Sequence, residues 1–67
     1  MKSFWEYYES LSFDEKDNLK NQIIEKTKKT YSTFYSWKRR GKVPRFEQTI
    51  IANLLNETVE ILFPVIN

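Results

Sequence analysis

Sixty-seven residues are fewer than half of the roughly 150 of an ordinary domain, which limits the chain to one domain or part of one. With no cysteine and no histidine it lacks disulfides, the usual zinc ligands, the commonest general base and the thiol nucleophile, so an enzyme, a metal or cofactor site and a small-molecule substrate are all unexpected. Hydrophobic residues at 40% beside charged residues at 30% describe a chain that folds, no apolar run is long enough to span a membrane, and Glu6 and Glu9 interrupt the stretch where a signal peptide needs continuous apolar residues; a cytoplasmic protein is expected.

One glycine and two prolines leave little turn punctuation, which favours helices joined by short connections over sheets. An all-α bundle of about five short helices is the predicted fold. Ser3-Phe4-Trp5-Glu6 reads as a capping box opening a short helix to about Ser10, in which Phe4, Tyr8 and Leu11 share one face. Ser12-Phe13-Asp14-Glu15 is a second capping box. Asp14, Glu15 and Asp17 crowd the first turn of the helix it opens, where the dipole favours negative charge, and cation binding is the weaker reading because the glycine turn of a calcium loop is missing. Leu19, Ile23 and Ile24 form the buried stripe of this helix to about Thr27.

Thr30 or Ser32 can cap a third helix, Tyr31 to Arg40, with Phe34 and Trp37 on one face and Gly41 just past its end as a left-handed cap. After Val43-Pro44 a fourth helix carries Phe46, Ile50, Ile51, Leu54 and Leu55 as its predicted apolar stripe and stops at Asn56. Thr58 caps a last turn or two containing Val59, Ile61 and Leu62, which Pro64 ends.

Charge is distributed unevenly along these elements. Lys26 to Arg45 holds eight bases and no acid in 20 residues, whereas the other 47 residues hold three bases and nine acids. A solvated face would explain a random basic run. This one covers a short turn, a helix and the loop after it, and two helices joined by about three residues, the second capped and basic, fit the helix-turn-helix plan for presenting a helix to the major groove.

Thr30-Tyr31-Ser32-Thr33-Phe34-Tyr35-Ser36-Trp37-Lys38-Arg39-Arg40-Gly41-Lys42-Val43-Pro44, then Ile50-Ile51-Ala52-Asn53-Leu54-Leu55, then Thr58-Val59-Glu60-Ile61-Leu62-Phe63-Pro64, resembles the second half of the Cro and lambda-repressor-type helix-turn-helix family, in particular its short regulators. The resemblance covers about half the chain. It implies a compact bundle of five short helices that binds operator DNA as a transcriptional regulator. Where many members of that family carry a small Ala in the first helix of the motif and Gly with an apolar residue in its turn, this chain has Ile24, Lys28 and Lys29, which predicts a wider turn or an altered crossing angle.

With Phe34 and Trp37 turned to the core, the outward side of the third helix is Tyr31, Ser32, Tyr35, Ser36 and Arg39, with Thr33 at its margin. These six are the candidates for base contacts, Arg39 alone being able to make the bidentate contact that favours guanine. Lys28, Lys29, Thr30, Arg40, Lys42 and Arg45 flank that helix and are the candidates for phosphate contacts. Two structural alternatives stand beside these roles: Tyr31 or Tyr35 packs against a neighbouring helix, and Thr30 is first of all a cap. Trp37 as a stacking platform for bases is the lesser reading of that residue. The expected partners are therefore double-stranded DNA and a second copy of the chain, the latter through the apolar tail Phe63-Pro64-Val65-Ile66, which is preferred, or the Trp5/Tyr7 side of the first helix. For the aromatic opening the favoured reading is a lid over the small core rather than a dimer surface. A small helical protein-interaction module, anti-repressor or antitoxin-like, whose basic face meets an acidic partner is the alternative function, with RNA binding third.

Overall fold

Short capped segments with one apolar face each can bury that face only against one another. In the computed structural model, which describes residues 3–64, they do so as five helices: α1 (Phe4–Glu9), α2 (Phe13–Thr27), α3 (Tyr31–Arg40), α4 (Arg45–Leu55) and α5 (Val59–Leu62). No strand occurs among the described residues, and no helix there is long and apolar enough to cross a membrane. The Cα radius of gyration is 11.1 Å, against about 11 Å for a compact chain of this length.

The helix ends follow the capping chemistry of the sequence, with one exception. Ser12 and Glu15 form the full reciprocal capping box of α2, Thr30 accepts from the Thr33 N–H at the start of α3, and Thr58 accepts from the Ile61 N–H at the start of α5. At α1 the predicted capping box does not form. Ser3 Oγ donates to Glu6 Oε1 at 2.8 Å, so the two side chains that were to cap backbone donors satisfy each other. Gly41, Lys28 and Asn56 end α3, α2 and α4 in the left-handed conformation, with φ of 69°, 61° and 58°.

The core is largely aromatic. Phe34 of α3 lies at its centre with ring centroids of Tyr8, Trp5 and Trp37 at 5.6, 5.7 and 6.4 Å, and Phe4 stacks on Phe63 at 5.5 Å. Leu19 and Ile23 of α2, Val43 of the loop, Ile51 and Ala52 of α4 and Leu62 of α5 close around this cluster. Leu11, Ile24, Leu54 and Leu55 pack on it half-buried. Trp37 is 2% exposed, which makes it a core residue rather than a stacking platform.

Phe46 departs from its predicted place in the stripe of α4, being 74% exposed. At 100° per residue Phe46 and Ile51 point about 140° apart, so once Ile51 is at the centre of the buried face Phe46 is on the outside. Glu47 takes the inward position at that end and is buried. Its place in the first turn lets the helix dipole favour its charge. The dimer surfaces expected from sequence are also partly used up: Trp5 and Tyr7 pack half-buried on the core, as does Phe63, while Val65 and Ile66 lie outside the described residues.

Candidate nucleic-acid interface

The basic window begins at Lys26 in the last turn of α2 and continues through the turn between α2 and α3. Lys28 takes the left-handed cap that glycine commonly supplies, and the Lys29 N–H bonds the Ile24 carbonyl at 3.3 Å. The turn therefore closes within residues 28–30. Lys28 and Lys29 are exposed on it.

Burial of Phe34 and Trp37 sets the orientation of α3 and leaves Ser32 and Arg39 on the outside. Ser36 lies between them and is half-buried. The three follow i, i+4, i+7 spacing and so line up along about 10 Å of helix. Among the described residues none of these side chains makes a hydrogen bond or ion pair, so each keeps its full bonding capacity for a partner. Thr33 is half-buried with its hydroxyl 3.2 Å from that of Thr30, whose oxygen also serves as the α3 cap. Thr30 is engaged in structure first.

The tyrosines realise the packing alternative. Tyr31 OH donates to Asn21 Oδ1 at 2.7 Å, and Lys20 Nζ donates to Tyr35 OH at 3.0 Å. Lys20 also pairs with Asp17 at 3.3 Å and lies over both rings, 5.3 and 5.4 Å from their centroids. The bond to Tyr35, helped by Asp17, raises the Lys20 ammonium above the usual lysine range. Tyr31 and Tyr35 nevertheless stay about half exposed, so their outer edges remain on the same surface as Ser32. The sequence reading missed Asp17, Lys20 and Asn21 as the residues that hold this pair. The signal available was two tyrosines four apart, across a short turn from polar residues at i, i+3 and i+4.

Of the eight bases in the window, Lys38 is diverted. Its ammonium pairs with Glu9 at 3.3 Å, Lys16 meets the same carboxylate at 3.0 Å, and both lie over the ring of Tyr8. The hydrogen bonds from Lys16 and Lys38 pull the Glu9 carboxyl below its ordinary range. Lys28, Lys29, Arg39, Arg40, Lys42 and Arg45 are exposed and have no ion-pair partner among the described residues. The loop that carries the last of them is firmly held. The Lys42 N–H bonds the Trp37 carbonyl at 3.1 Å, Val43 is buried, and Gln48 Nε2 donates to the Val43 carbonyl at 2.8 Å.

The arrangement is a row of two hydroxyls and a guanidinium on a rigid helix, bordered at one edge by two tyrosine rings and at both ends by uncompensated cations. Such a surface suits a polyanion that also offers hydrogen-bonding edges. Compared with protein-family models, with curated proteins and with solved structures, the chain matches none.

Proposed function

We propose that this protein is a small helix-turn-helix regulator that binds double-stranded DNA, with α2 and α3 as the two helices of the motif and α3 in the major groove. The observation that carries the reading is the division of the basic residues. Among the described residues Lys16, Lys20 and Lys38 are used in ion pairs within the fold, while six of the seven bases that remain free border α3, the seventh being Lys26 on the groove between α2 and α4. In this reading Ser32, Ser36 and Arg39 face base edges, Tyr31 and Tyr35 line the margin from positions set by α2, and Lys28, Lys29, Arg40, Lys42 and Arg45 contact phosphates. Thr30 and Thr33 mainly hold the helix start.

Phosphate contacts release condensed counterions, so log K should fall linearly with log[salt] by about 0.9 for each phosphate neutralised. Five such contacts give a slope of roughly −4 to −5 on duplex DNA. Titration of binding to a random-sequence duplex measures this, and selection from a duplex library tests for a preferred operator. A slope near zero would overturn the reading and favour a protein-interaction module.

A further inference from the structure

Two large apolar side chains are out of place on this surface. Phe13, at the start of α2, is 82% exposed, and Phe46, at the start of α4, is 74% exposed. Exposed aromatics in a chain with so small a core are informative in a way that exposed lysines are not. At the other end of α2 lies a groove of about 430 Å³ between that helix and α4, lined by Lys26, Ile50, Asn53 and Leu54. Phe46 stands one turn before Ile50 on α4.

The surroundings of Phe13 and of the groove are complementary in charge. Phe13 is followed by Asp14, Glu15 and Asp17, and Asp14 has no ion-pair partner among the described residues. The groove carries Lys26, also without a partner there, with Lys28 and Lys29 just beyond it. A groove with Ile50 and Leu54 as its apolar part, Asn53 beside them and Lys26 at its rim fits an aromatic side chain set among carboxylates, and the chain itself supplies one.

A single copy cannot make this contact with itself. Thirteen residues of helix separate Phe13 from Lys26 by about 20 Å along the axis and about 140° around it. Because the two features lie at opposite ends and on different sides of α2, a copy that receives a Phe13 still presents its own. We propose that Phe13 of one copy seats in the α2/α4 groove of a second, with Asp14 facing Lys26, so that copies associate head to tail in an extendable chain. The contact needs no DNA and uses none of Ser32, Ser36 and Arg39, while Lys28 and Lys29 lie between it and the surface proposed for DNA.

Sedimentation equilibrium of the full chain without DNA, over a hundredfold range of concentration, tests this against Phe13→Ala and Lys26→Glu. Both positions are exposed, and unchanged far-ultraviolet circular dichroism establishes that both variants fold. The wild-type average mass should rise past that of a dimer and fall back in high salt, while each variant associates about tenfold or more weakly. An equimolar mixture of the two variants keeps one intact groove and one intact Phe13, and should stop at a heterodimer. A wild type that stays monomeric, a mass that saturates at a dimer, Phe13→Ala or Lys26→Glu assembling like wild type, or a mixture that stays monomeric would each overturn the proposal.

Discussion

Arg39 and Lys42 are both exposed and both cationic, yet the fold gives them different surroundings. Arg39 is on the outward row of α3 with Ser32 and Ser36, whereas Lys42 is on the loop, pinned through its own N–H to Trp37. A guanidinium on a groove-facing row can make two parallel hydrogen bonds to guanine, and an ammonium on a loop acts on phosphate as a point charge. If the DNA reading holds, Arg39→Ala costs about 1–3 kcal/mol and relaxes preference at one base position. Lys42→Ala weakens all duplexes alike and reduces the salt slope by about 1. Binding assays on a set of single-base operator variants separate the two effects. Lys28, besides its place among the phosphate contacts, bears on stability. Its left-handed conformation crowds Cβ against the following carbonyl, a strain glycine does not suffer. After the entropy that glycine loses on folding, Lys28→Gly should stabilise by about 0.5–1 kcal/mol and raise Tm by roughly 2–8 °C in a thermal melt.

At the scale of the element, α2 fastens α3 and α1 in two ways. Lys20 and Asn21 hold Tyr35 and Tyr31 of α3, and Lys16 shares Glu9 of α1 with Lys38 of α3. Glu9 therefore joins three helices through one exposed carboxylate. Its pKa is lowered in the fold by hydrogen bonds from Lys16 and Lys38, and that of Glu15 is lowered by the Ser12 backbone N–H and hydroxyl. A carboxyl whose folded pKa lies below its unfolded one adds stability above the unfolded value, about pH 4.3 for Glu, and loses it as the pH falls through the folded value. Melts from neutral pH down through this window should show Tm falling. In Glu9→Gln the neutral-pH melt should come lower and the acid dependence should be shallower. An unaltered acid profile would mean that the shared pair contributes nothing across these helices.

For the molecule as a whole, stability rests on a few aromatic rings around Phe34. A core this small supplies about 3–5 kcal/mol, and removing a buried Phe or Trp costs about the same. Phe34→Ala and Trp37→Ala should each leave the chain largely unfolded by circular dichroism. Phe46→Ala, outside that cluster, should stay within about 0.5 kcal/mol of wild type. If Trp37→Ala keeps its melting curve and loses nucleic-acid binding, the assignment of that side chain to the core fails.

The sequence by itself determined the all-α class, the order and nearly all the bounds of the five helices, and the inward faces of α1, α2 and α3, because these depend on local rules. Caps at Ser12, Thr30 and Thr58 act within a few residues, Gly41 and Asn56 end helices through their own backbone preferences, and Phe34 and Trp37 share a face by helical period alone. The basic window was equally legible, as a count along the chain. Tertiary structure decided which of those charges remain available, since Lys38 finds Glu9 only when α1 folds back beside α3, and it decided that Tyr31 and Tyr35 rest on Asn21 and Lys20. It also turned Phe46 outward. A stripe at i, i+4, i+8 drifts by 40° per step, so periodicity admits either edge of α4, and only the packing of Ile51 and Ala52 against the other helices selects between them. Ion pairs, ring contacts and the choice among nearly equivalent helix faces depend on residues distant in sequence, and for that reason they become definite only in the folded chain.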